Sequence, residues 1–183
     1  MKYIQKAVVT STNTLAKNMI KTQPELIQTG FVITANKQTQ GKGTKGRKWE
    51  SESVGGLYYT LAFKPAEFKF QQVKQYHLDI AAVIATVTKT ITQQQLIIKP
   101  PNDLFLNEKK VGGILMESAT TSAAIINLNY LIIGVGLNIN QKTFPKQLAG
   151  IATSLCIETQ QSFDKTDFIK PMTNQLVALF AAH

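Results

Sequence analysis

Leu96-Ile-Ile-Lys-Pro-Pro-Asn-Asp-Leu-Phe-Leu-Asn-Glu-Lys-Lys-Val-Gly-Gly-Ile-Leu-Met-Glu117 alternates short apolar runs with turn residues, and its reading decides the fold. Leu96 to Ile98 predicts a short strand. Pro100-Pro101 must end that strand or confine it to a sheet edge, because proline donates no ladder hydrogen bond. Leu104-Phe-Leu106, the turn Asn107-Glu-Lys109 and Val111 to Glu117 predict a hairpin. Beyond it, Ala123 to Leu128 and Tyr130 to Ile139 have the apolar content of further strands.

Working outward, Tyr3 to Val9 predicts an opening strand, followed at once by Ser11-Thr12-Asn13. Either hydroxyl could cap the helix that Leu15, Ala16 and Met19 suggest. Gly30 ends that segment, and Phe31 to Ala35 is a second strand. Leu57 to Phe63 is a third. Tyr76, Ile80, Val83, Ile84, Val87 and Ile91 then recur at helical spacing. From Ile151 onward the pattern turns helical, with Phe168, Ile169, Met172, Leu176, Leu179 and Phe180 on one face. The order β-α-β-loop-β-α-β-β-β-β-α-α predicts α+β: a mixed β-sheet with packed helices.

The 183 residues are 44% hydrophobic and 17% charged, a balance that builds one core and excludes disorder as the main state. Cys156 is the lone cysteine, which excludes an internal disulfide framework and fits a reducing, cytoplasmic location. With only His77 and His183, a histidine-rich metal site is excluded, and no metal-ligating protein residues are assigned. The net charge of +9 suits an anionic partner but does not choose among nucleotide, nucleic acid, acidic protein and membrane surface. No apolar run has the length of a membrane-spanning helix.

Residues 38–49 form a glycine-rich basic loop, Gln38-Thr-Gln-Gly41-Lys42-Gly43-Thr44-Lys45-Gly46-Arg47-Lys48-Trp49. Its glycines let backbone N–H groups approach an anion, its cations add charge, and Trp49 could stack on a ring. Arg47 is the only arginine in the chain and so the only planar fork for phosphate or ribose oxygens. Composition alone equally fits a mobile surface loop with solvated lysines. Gly41 and Gly46 have the spacing of a phosphate-binding loop, but Arg47-Lys48 stands where Lys-Ser/Thr is required. Gly134-Val-Gly136 lacks the third glycine of a dinucleotide fingerprint. Lys99-Pro-Pro-Asn102-Asp103 could read a hydroxyl and hold a proton, or could be an ordinary turn. Lys110 before Gly112-Gly113 could reach a ligand across bare backbone.

Taken in order, five stretches resemble the biotin–protein ligases: Ser11-Thr12-Asn13, Gln38 to Trp49, Lys99 to Asp103, Lys110 to Glu117 and Gly134 to Asn138. The family pattern reads S-T-N, Q-x-x-G-R-G-R-x-G-R-x-W, K-W-P-N-D, K-x-x-G-I-L-x-E and G-x-G-x-N. The resemblance implies the catalytic fold shared with lipoate ligases and class II aminoacyl-tRNA synthetases. It also implies that biotin is activated with ATP and Mg²⁺ to biotinyl-5′-adenylate, and transferred to a lysine of a biotin carboxyl carrier domain. By the same resemblance Lys110, Asp103 and Lys42 are catalytic. Ser11, Thr12, Asn13, Gln38, Gly41, Lys42, Gly43, Thr44, Tyr58, Lys110, Gly113, Gly134 and Gly136 are implied on the biotin side. Arg47, Trp49, Lys99, Asn102 and Asn138 are implied on the nucleotide side.

The chain departs from the pattern in specific ways. Lys42 and Thr44 stand where the family has two arginines, and Pro100 stands where it has tryptophan. Thr44 supplies neither charge nor fork, which predicts weaker retention of the adenylate. A single catalytic domain over residues 1–183 is expected, without the N-terminal DNA-binding domain of some members or the usual small C-terminal β-barrel. No specific DNA and no membrane are expected as partners. An apolar edge strand near 123–133 could pair between subunits and form a homodimer. Readings that stay open are a lipoate or octanoate ligase or transferase of the same fold, a non-catalytic biotin binder and a nucleic-acid-binding module.

Overall fold

The computed structural model describes residues 1–51, 54–120 and 128–181. Seven strands form one sheet: β1 (Lys2–Val9), β2 (Phe31–Gln38), β3 (Gly56–Phe63), β4 (Ile97–Lys99), β5 (Asp103–Leu106), β6 (Lys109–Thr120) and β7 (Leu128–Asn138). Their order across the sheet is β1-β2-β3-β7-β6-β5-β4. Only β1 and β2 run parallel; the remaining pairs are antiparallel. The sheet is mixed, as the element order predicts.

Helices cover both faces. The longest, α3 (Val73–Thr92), buries Ile80, Ala81, Ile84, Ala85 and Val87 and ends on left-handed Gln93. Beside it, α5 (Thr166–Leu179) buries Phe168, Met172 and Leu176. Together they pack on the strand residues that alternate to that side, among them Tyr59, Leu61, Leu131, Ile133 and Val135. On the opposite face α1 (Thr12–Thr22) and α2 (Leu26–Thr29) cover Phe31, Ile33, Ala62 and Ile132. With both faces covered, β3 reads as a continuous buried run.

The hairpin of β5 and β6 turns on Asn107 (φ 47°) and Glu108 (φ 65°), so Lys109 belongs to β6 and not to the turn. Two central residues at positive φ match the twist of flanking strands. β4, broken by Pro100-Pro101, is indeed an edge.

Several expectations need correction. β2 runs on to Gln38, so the basic loop starts from a rigid strand end. The stretch from Ile151 to Thr153 is not helical: Lys110 N–H donates to Ile151 O and Thr153 N–H donates to Lys110 O. Helix resumes only at α4 (Leu155–Thr159), where Cys156 is half-buried. Of the strand expected over Ala123 to Leu128, residues 123–127 lie outside the described residues, and Leu128 opens β7. For pairing between subunits, residues 131–133 of β7 offer no free edge. There the strand sits between β3 and β6 and is paired on both sides, while Leu128 and Tyr130 are paired with β6, and the outer strands of the sheet are β1 and β4.

Candidate active site

Where α1 ends at its N-terminus, its sheet face is left uncovered, and three glycines make the floor there. Gly113 of β6 pairs with Gly136 of β7, and Gly134 lies two residues along the same strand. A cleft of about 320 Å³ opens over them. The start of α1 walls one side, the loop from Lys42 to Glu50 another, and the ends of β5 and β6 a third.

At the α1 wall, the sequence suggests that a hydroxyl caps the helix. The structure differs: Ser11 holds the N-cap position without a side-chain cap bond. The Gln38 carboxamide does the work from the end of β2, its Oε1 accepting from the Thr12 N–H at 2.8 Å and from Thr12 Oγ1 at 3.1 Å. A helix start leaves N–H groups without partners, and a neighbouring strand supplies one here. Ser11, Thr12, Asn13 and Gln38 are all buried and all line the cleft.

Across the floor the Lys110 ammonium forms an ion pair with Asp103, Nζ to Oδ1 2.7 Å. Paired strands β5 and β6 bring them together, and both side chains are about a quarter exposed to the cleft. Trp49 lies over Gly113 and Gly136, and the Lys110 ammonium is 5.4 Å from its ring centroid. In the basic loop, Arg47 donates from Nη2 to Thr44 Oγ1 at 2.9 Å and from Nε to Thr44 O at 3.3 Å. Lys42, Gly43, Thr44 and Arg47 line the cleft mouth. Four cations of the lining (Lys42, Arg47, Lys48, Lys110) face two carboxylates (Glu50, Asp103), which suits an anionic ligand.

Asn102 and Asn138 line the cleft, but their carboxamides also hold the backbone. Asn102 Nδ2 donates to Ile114 O at 2.9 Å, and Asn138 Nδ2 donates to Thr153 O at 3.0 Å. Gly41, Tyr58 and Lys99 stand outside the lining. The Lys99 ammonium sits 3.8 Å over the Phe105 ring. Tyr58 is buried on the site face of β3, where burial and the Glu50 carboxylate push its phenol above its ordinary pKa and a hydrogen bond with Gln141 opposes them. It therefore stays neutral. Gly41 is packed under Trp49 O and Ser51 Oγ, with no room for a side chain.

Sequence reasoning missed one wall. Phe144, Gln147, Leu148, Ile151 and Ala152 close the cleft from the segment after β7. Its one signal is large apolar residues in a polar stretch, and Ile151 is 60% exposed.

A sequence model of the biotin/lipoate A/B protein ligase family matches residues 6–138. The chain belongs to this family. The bifunctional ligase/repressor BirA of Bacillus spizizenii is 32% identical over 170 residues, covering 91% of this chain and 50% of that protein. Among solved structures, the biotin protein ligase from Aquifex aeolicus in complex with biotin and ATP is similar at 29% identity and TM-score 0.76. That match covers 98% of this chain and 72% of the other. The ligase from Leishmania major in complex with biotinyl-5-AMP matches at 26% identity and TM-score 0.75, covering 97% of this chain and 74% of that one. These neighbours of the biotin/lipoate family share the fold derived above. The chain spans about half the length of the curated relatives it matches. Among the described residues, no helix is long and apolar enough to cross a membrane.

Proposed function

We propose that this chain activates biotin with ATP to biotinyl-5′-adenylate and transfers the biotinyl group to a lysine of a biotin carboxyl carrier domain. The observation that carries the reading is the Lys110–Asp103 pair, set at 2.7 Å beside a floor of glycines in a cation-rich cleft.

In the first step a biotin carboxylate oxygen attacks the α-phosphorus of ATP, the P–O bond to pyrophosphate breaks, and pyrophosphate leaves. Negative charge gathers on the phosphoryl oxygens, so fixed cations stabilise it most. Lys110 is the cation nearest the floor, and Lys42 and Arg47 stand at the mouth. The nucleotide has the Trp49 face for its ring. Mg²⁺, when bound, neutralises phosphate charge. Asp103 and Glu50 are the carboxylates of the lining, and a donor set this small fits an ion carried in on the phosphates.

The second step forms an amide bond: the acceptor amine attacks the biotinyl carbonyl carbon, and AMP leaves with its oxygen. The amine must lose a proton. Asp103, paired with Lys110 at 2.7 Å, is the carboxylate placed to accept that proton once Lys110 turns to the substrate anion. One ion pair thus serves both steps.

The test is mass spectrometry of a carrier domain incubated with the chain, biotin, Mg²⁺ and ATP. A gain of one biotinyl group on one lysine is expected. No gain, together with no biotin-dependent pyrophosphate release, would overturn the proposal.

A further inference from the structure

Asn13 is buried at the floor of the cleft, and its carboxamide is held from both sides. Nδ2 donates to Glu117 Oε2 at 2.8 Å and lies 3.4 Å from Leu115 O, while Oδ1 accepts from Thr60 Oγ1 at 2.6 Å. A primary amide has two donor hydrogens and two acceptor lone pairs. Both hydrogens and one lone pair are therefore spent inside the protein. What the group has left is one lone pair on its oxygen.

Glu117 decides this orientation. A hydroxyl both donates and accepts, so Thr60 would bond the amide either way round. An ionised carboxylate only accepts, so Glu117 can take the –NH₂ end and never the oxygen. Lys17 Nζ donates to the other carboxylate oxygen at 2.6 Å, so donors meet the carboxylate on both oxygens. The amide lies directly on the floor, where a Cβ on Gly134 would collide with Asn13 Oδ1.

We propose that Glu117 is a positioning residue for substrate recognition. By fixing Asn13 with only its oxygen unspent, it makes this wall an acceptor for a ring N–H donor, the group a cyclic urea presents. This rests on the biotin reading above. Glu117 touches no substrate and acts through Asn13, so its loss weakens ground-state binding and spares the chemical step.

The experiment is biotin-dependent ATP–pyrophosphate exchange, giving KM for biotin and kcat separately. Glu117→Ala is expected to raise KM for biotin by up to about tenfold, the scale of one neutral hydrogen bond lost to substrate, with kcat kept within about twofold. Asn13→Asp sets two carboxylates against each other and is expected to raise KM likewise. In the pair Asn13→Asp with Glu117→Gln the amide and carboxylate exchange places: the glutamine donates, and the aspartate still accepts from Thr60. That double variant is expected to recover most of the affinity lost in Asn13→Asp, which no misfolded protein would do. An unchanged KM in Glu117→Ala, a fall confined to kcat, or a double variant no better than Asn13→Asp would overturn the inference alone. No exchange by the unsubstituted chain would overturn it together with the proposed function.

Discussion

The Trp49 indole lies so close over Gly136 that a Cβ there would come 2.6 Å from Nε1 and 2.8 Å from Cζ2. On the neighbouring strand a Cβ at Gly113 would come 2.9 Å from Cζ3. Two paired glycines thus set the height at which a rigid ring rests. Trp49 Nε1 is buried with no hydrogen-bond partner among the described residues.

Gly136→Ala must therefore lift the ring, since neither the strand nor an indole can give. It is expected to cost about 1–3 kcal/mol of stability, as overpacking does. The KM for ATP should rise about tenfold or more through loss of the stacking face. Trp49 is the only tryptophan, so fluorescence reads the cleft directly. The variant should show emission shifted to the red and a smaller response to ATP; an unchanged spectrum and ATP titration would count against the stacking role.

Lys110→Ala removes the cation nearest the floor. Its exchange rate should fall of order 10²-fold or more, the cost of removing a preorganised charge partner. Stability should change by less than about 1 kcal/mol, because the pair is part-exposed and the backbone bridge of Lys110 to Ile151 and Thr153 is untouched. A folded variant with undiminished pyrophosphate release would remove Lys110 from the mechanism.

At the loop, Arg47 spends its fork on Thr44, so position 44 contributes no charge of its own to an adenylate. Thr44→Arg adds that charge and is expected to slow release of biotinyl-5′-adenylate by about one to two decades, the worth of one charge-assisted hydrogen bond. Bystander lysines should be labelled less by the variant. Preloaded proteins chased with unlabelled ligand and followed by chromatography give the rates; equal rates would show that Thr44 has not loosened the site.

Glu158 accepts from Thr153 Oγ1 and, at 2.6 Å, from Asn107 Nδ2, tying the β5–β6 turn to the segment that bridges Lys110. These bonds, Thr153 first, hold its carboxyl below the ordinary value of 4.5. A depressed folded value means the contribution is whole above 4.5 and disappears as pH falls through the lower folded value. Glu158→Gln should melt below the unsubstituted chain at neutral pH, with the gap closing in acid. A gap constant across the acid range would dissociate Glu158 from this role.

Much of the fold is local and legible. Helical spacing from Tyr76 to Ile91, the hairpin around Asn107 and the apolar runs of β3 and β7 are read from periodicity, because one face must be buried. Glycines at 113, 134 and 136 likewise mark bare backbone in the sequence itself. Strand neighbours are another matter. Nothing local tells that β7 inserts between β3 and β6, which is why residues 131–133 read as an edge and are central.

For the site, residue types in the sequence determined which side chains were available: a lone arginine, a lone tryptophan, Lys110 before paired glycines and Asn102-Asp103 after prolines. Their partners were decided only by tertiary structure. Gln38 caps α1 across 26 residues, and Glu117 reaches Asn13 across 104. A hydrogen bond is sensitive to a few tenths of an ångström and to direction, and such separations close only when the whole sheet sets its register. The same physics brings Phe144 and Leu148 over the cleft from a segment whose composition, read alone, describes only a loop.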